Sequence, residues 1–139
     1  MASSLMAMAG CGRGLEVATL NVSDQQLALS VRREHSHLYL PEYNRTVTLR
    51  APERELSCVL FKDTGGTVRI NVYRTGRTRY ILRDRVGALE IDRDLGCGCS
   101  DVPLTEVTGV FVGAFDEVEG EWRFLTSSER AELAIVPPP

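Results

Sequence analysis

The chain is written in short alternations. Residues 67–73, Thr-Val-Arg-Ile-Asn-Val-Tyr, and 88–92, Ala-Leu-Glu-Ile-Asp, place apolar side chains at alternate positions, bounded by Gly65-Gly66, Thr75-Gly76 and Arg83-Asp84-Arg85. A period of two sends successive side chains to opposite faces of a strand, so such a run is stable only when one face is covered. Similar runs at 15–22, 26–31, 37–40, 45–49, 56–61, 78–82 and 107–112 are separated by Gly, Asp, Asn, Pro or Ser. Those residues favour tight turns, and the spacing predicts strands throughout. Helical spacing is sustained only over 127–135, where Ser127 and Ser128 are placed to cap a short helix. Many short strands with frequent turns predict an all-β sandwich or jelly roll.

At 139 residues the chain is expected to form one domain with a real core. A net charge of −3 gives no electrostatic footprint for nucleic acid. Of 16 basic residues only Lys62 is lysine, a bias that codon composition explains without function. Residues 1–9 are apolar but short and lack flanking basic residues, which predicts a loose N-terminal arm rather than a leader. No run is long enough to span a membrane. A cytoplasmic or nuclear, non-secreted location is therefore expected, with the sequons Asn21-Val-Ser23 and Asn44-Arg-Thr46 silent. Cys11, Cys58, Cys97 and Cys99 are irregularly spaced and are expected to stay reduced. Cys97-Gly98-Cys99 and His35-Ser36-His37 each offer two metal ligands, but no complete set is visible, so neither metal nor cofactor is expected.

The segment from Cys58 to Arg93 resembles the part of trimeric dUTPases that carries their third and fourth motifs. Cys58-Val59-Leu60-Phe61-Lys62-Asp63-Thr64-Gly65-Gly66 stands beside G-V-I-D-x-x-Y-R-G, and Arg83-Asp84-Arg85-Val86-Gly87-Ala88-Leu89 beside G-D-R-x-A-Q-L. Gly12-Arg13-Gly14-Leu15 is similar to the first motif, G-Y-D-L, and the strand ending in Arg50-Ala51-Pro52 to the second, P-R-S-G-L. Glu119-Gly120-Glu121-Trp122-Arg123-Phe124-Leu125-Thr126-Ser127-Ser128 resembles the fifth, R-G-E-G-G-F-G-S-T-G.

What the resemblance implies is a trimeric jelly roll whose chemistry has been removed. Phe61 stands where the family has its general base, and Thr64 where a tyrosine packs under the deoxyribose. Gly14 replaces the acid that holds Mg²⁺ through water, Ala51 a serine and Ala88 a glutamine. Arg50, Asp84 and Phe124 match the family's phosphate-facing arginine, its fourth-motif acid and the phenylalanine that covers the base. Hydrolysis needs a positioned base and held charge together, so losing several interdependent parts predicts no dUTP diphosphatase activity.

The implied organisation is an N-terminal arm over 1–11, a β domain over 12–115 and a C-terminal arm over 116–139. Replacing the glycines of a mobile arm stiffens it and adds apolar area. Trp122 and Phe124, beside Glu119 and Glu121, are thus candidates for contact with another protein. The competing expectation is that both aromatics pack on the domain's own core. The reading is a catalytically inactive scaffold, viral by its resemblance to dUTPase-derived viral proteins and directed at a host or viral protein, with a homotrimer as what the same resemblance implies. The alternative is a divergent nucleotide-binding or nucleotide-hydrolysing member of the dUTPase and dCTP deaminase superfamily.

Overall fold

A computed structural model of the chain describes residues 15–35, 43–60, 69–94 and 98–132. Two antiparallel sheets face each other. The first holds β1 (Leu15–Val22), β2 (Leu27–His35), β3 (Tyr43–Ala51) and β4 (Arg54–Val59), in the order β1-β2-β3-β4. The second holds β5 (Ile70–Arg74), β6 (Arg79–Arg83), β7 (Ala88–Asp92), β8 (Cys99–Val102), β9 (Val110–Val118) and β10 (Glu121–Thr126), in the order β10-β9-β5-β6-β7-β8. The chain is an all-β sandwich, as the alternation predicts.

Register explains why the four-stranded sheet has one dry and one wet face. Ala18, Val31, Val47 and Cys58 lie opposite one another in one row, and Leu20, Leu29, Leu49 and Leu56 in another. These rows face the core. Between them, on the opposite face, Thr19, Ser30, Thr48 and Ser57 form a row of hydroxyls. Thr19 pairs with Ser30 and Thr48 with Ser57, each at 2.9 Å.

The six-stranded sheet is covered on both faces at its centre. Ile70, Val72, Tyr80, Leu82, Leu89, Ile91, Phe115 and Trp122 point into the main core. On the outer face Tyr73, Ile81 and Ala88 form a second cluster, covered by Val102, Leu104, Val107 and Phe111. Leu104 and Val107 come from the connection between β8 and β9, which contains a 3-10 turn at Leu104–Glu106, and Val102 and Phe111 from the strand ends on either side of it. β9 leaves this turn and returns beside β5, with a bulge at Val72/Tyr73. At Gly113 (φ +150°) a Cβ would sit 2.2 Å from the Leu125 carbonyl oxygen, so this close approach of β9 to β10 requires glycine.

The differences from the expected elements have local causes. β1 and β7 match their predicted ranges. β9 begins at Val110 rather than 107, because Pro103 opens the 3-10 turn and Gly109 takes a positive φ. The predicted strand at 37–40 lies outside the described residues. No helix forms over 127–132; Glu129 instead closes a turn by accepting from the Thr126 N–H, and residues 133–135 lie outside the described residues. The segment beginning at 116 is not a separate arm through 126, since β9 and β10 pair along their length inside the six-stranded sheet. Among the described residues no helix is long and apolar enough to cross a membrane.

Candidate binding site

Three of the motif positions, Gly14, Phe61 and Thr64, lie outside the described residues. The others take up separate places in the fold. Arg50 is at the end of β3 on the exposed face, its Nε donating to Glu55 Oε1 at 3.0 Å, a solvated pair worth about 0–1 kcal/mol. Beside it Ala51 and Pro52 line a trough of about 520 Å³ with Gln25, Gln26, Glu53, Arg54, Arg93 and Asp94. Its charges are of mixed sign, which does not favour a polyanion.

Asp84 is at the other end of the molecule. It is 5% exposed, and its Oδ2 accepts from Arg45 Nη2 at 2.5 Å. Its Oδ1 accepts the N–H groups of Val86 at 2.8 Å and Gly87 at 3.0 Å, forming the turn between β6 and β7. Arg45 and Arg50 are five residues apart on β3, about 17 Å of strand. Within one chain, therefore, Arg50 and Asp84 do not converge. Ala88 belongs to the outer-face cluster, and Phe124 is half-buried, edge-on to Phe115 at 5.0 Å.

Trp122 corrects the expectation of an exposed anchor. It is 5% exposed, its indole N–H donates to the Val31 carbonyl at 3.0 Å, and its ring stacks with Phe115. The Arg33 guanidinium carbon lies 4.6 Å from the Trp122 ring centre and 4.4 Å from that of Tyr43. Arg33 also bonds Glu16 on β1 at 2.8 Å and Glu117 on β9 at 2.6 Å, so one cation ties both sheets together. Burial lowers its pKa, but the bonds from Glu117 and Glu16 outweigh that and the net shift is upward. Of the acidic run before Trp122, Glu117 is used here, Asp116 faces Arg69, and Glu119 and Glu121 remain exposed.

The cysteines also depart from expectation. Cys58 on β4 and Cys99 on β8 form a disulfide with Cα atoms 6.5 Å apart, joining the edges of the two sheets. Both residues face inward from strands that the fold brings together, and sequence spacing does not report such proximity. Cys11 and Cys97 lie outside the described residues. His35 stacks on Tyr43 at 4.8 Å, and His37 lies outside the described residues. Among the described residues no group of three or more His, Cys, Asp or Glu is placed to hold a metal.

Another buried polar constellation is one the sequence reading did not single out. Arg69, just before β5, and Asn71 and Tyr73 on its outer face alternate along the chain, and only 7%, 0% and 6% of them is exposed. Arg69 Nε donates to Asn71 Oδ1 at 2.8 Å, and Asn71 Nδ2 to the Tyr73 hydroxyl at 3.3 Å. The segment after β10 lies across them. Arg69 Nη2 donates to the Ala131 carbonyl at 2.7 Å, and the Tyr73 hydroxyl to Glu132 Oε2 at 2.6 Å. Arg130 and Arg69 both approach Asp116, at 3.9 and 3.8 Å. Burial, then the bond to Glu132, raises the Tyr73 pKa; burial lowers that of Arg69 against the pull of Asp116. The signal available in the sequence was Arg-Ile-Asn-Val-Tyr itself, with polar groups at every second position of a central strand.

Comparison with protein-family models, with curated proteins and with solved structures returns no match.

Proposed function

We propose that this chain is a catalytically inactive, dUTPase-like β-sandwich that works by binding another protein. The observation that carries the reading is the use made of Asp84, the acid that matches the fourth motif. Both of its oxygens serve the fold, one toward Arg45 and one toward the turn at Val86 and Gly87. Phe124 is packed against Phe115 rather than standing clear to cover a base. Phe61, Thr64 and Gly14 supply no base, sugar platform or metal-linked acid.

The jelly-roll and trimeric parts of this proposal rest on the motif order alone. A jelly roll interleaves strands between its two sheets. Here β1–β4 fill one sheet and β5–β10 the other, and the return of β9 beside β5 is the Greek-key element in common. Carried over to this chain are the two-layer architecture and the degenerate motifs, with a homotrimer, a viral origin and a host-protein partner as their expected consequences.

Purified protein given dUTP and excess Mg²⁺ is expected to release no pyrophosphate above background, and Phe61→Asp is expected to stay inactive because the missing parts act as a unit. Turnover in the ordinary enzyme range, about 1–10³ s⁻¹, overturns the reading. Light scattering of the same sample reads the mass, and a monomer removes the trimer alone.

A further inference from the structure

The outer face of β5 is built to receive more than it now holds. Arg69, Asn71 and Tyr73 are each more than nine-tenths buried, yet Ala131 and Glu132, which they grip, are exposed. Residues 126–132 thus lie as a strap over a fixed row of donors. The strap supplies that row with one backbone carbonyl, from Ala131, and one carboxylate, from Glu132. Any extended peptide with an acidic residue offers the same two groups in the same order. Arg69 Nη1 is buried and makes no hydrogen bond, its nearest acid being Asp116 at 3.8 Å, so the row holds a donor that the strap leaves unused.

From this we infer that the Arg69–Asn71–Tyr73 row is a docking site for an acidic peptide segment of a partner protein, and that residues 129–132 occupy it in cis as a displaceable stand-in. Charge complementarity selects the occupant. A basic segment repels the Arg69 guanidinium, and an apolar one offers it and the Tyr73 hydroxyl only neutral backbone carbonyls. A carboxylate gains charge-assisted bonds there. Beyond the two bonds above, residues 129–132 are held by Arg130 to Asp116 at 3.9 Å and by a turn in which the Glu129 and Arg130 N–H groups each donate to the Thr126 carbonyl at 2.9 Å, a turn that release of Ala131 and Glu132 leaves in place. Displacement therefore exchanges like for like rather than breaking a packed element. The inference rests on the protein-binding reading for its purpose, but the two fail separately: dUTP turnover ends that reading and leaves the peptide measurement untouched.

The test uses the full chain and a fluorescein-labelled peptide of the strap's own sequence, Ser-Glu-Arg-Ala-Glu. The double variant Arg130→Ala, Glu132→Ala removes two of the strap's ties. It is expected to bind this peptide at least about tenfold more tightly than the parent, the size of one charge-assisted bond. Replacing the peptide's last residue by Gln is expected to abolish the gain, as is Tyr73→Phe in the double-variant background. Equal binding by parent and double variant overturns the proposal, as does no binding by the double variant up to about 1 mM peptide. Undiminished binding of the Gln peptide overturns it too. Thermal unfolding reports whether the double variant folds, and if it does not, Glu132→Gln is measured under the same criteria.

Discussion

The two long sides of the sandwich are closed by different chemistry. On one side β1 lies against β10, and the buried Arg33 joins Glu16, Glu117, Tyr43 and Trp122 in a single half-exposed knot. On the other side β4 meets β8 through the bond between Cys58 and Cys99. The first closure is many weak contacts around one cation, which hold only while each partner stays in place. The second is one covalent bond, which acts largely by restricting the unfolded chain. A sandwich whose sheets are sequential blocks has few strand crossings to bind its layers, and these two closures take over that task.

The largest expected effect is on the noncovalent side. Trp122→Ala removes a buried ring, its bond to the Val31 carbonyl and one wall of the Arg33 site, and is expected to lower stability by about 3–5 kcal/mol in denaturant unfolding. A loss under about 1 kcal/mol would return Trp122 to the surface role that the motif resemblance suggests.

The covalent side is expected to matter less, and conditionally. Cys58→Ser opens a link between residues 41 apart, for which the chain-entropy model gives at most about 4 kcal/mol. The expected loss is about 2–4 kcal/mol for oxidised protein and none once the parent is reduced. An equal loss with and without reductant would assign the role of Cys58 to packing alone.

Acid gives the smallest effect and sharpens the same comparison. Asp92, at the end of β7 on the disulfide side, is 4% exposed. Burial alone would raise its pKa, but the Asp94 N–H, Arg79 and Thr78 together lower it below the ordinary value of 3.8. A lowered carboxylate pKa contributes stability that is complete above the unfolded-state value and is lost as pH falls through the folded one. Unfolding measured from pH 5 downward is therefore expected to weaken below about pH 4, with a shallower slope in Asp92→Asn. An unchanged slope removes Asp92 from the account.

The legible parts of the fold were those written locally. Alternation placed β1 and β7, and Arg83-Asp84-Arg85 marked the turn at which Asp84 binds the N–H groups of Val86 and Gly87. β10 was read as an arm because Trp122 and Phe124 stand where a glycine-rich motif is expected, although its first four residues, Glu-Trp-Arg-Phe, alternate as a strand does. β8 was missed because four residues, Cys-Ser-Asp-Val, carry too little alternation to register. The Arg69–Asn71–Tyr73 row was hidden by the same logic that finds strands, since polar groups on alternate positions signify a wet face, and this face is covered.

The sequence by itself determined most of the strands, which face of them is apolar and where most of the turns fall, because those depend on neighbours two to four positions away. Only the tertiary structure decided that Trp122 meets Val31 across 91 residues, Arg33 meets Glu117 across 84 and Cys58 meets Cys99 across 41. A period of two fixes the side of the sheet to which a residue points but is silent about what waits there. That is settled by how the two sheets stack, and the energy of stacking is spread over the whole core rather than written at any one position.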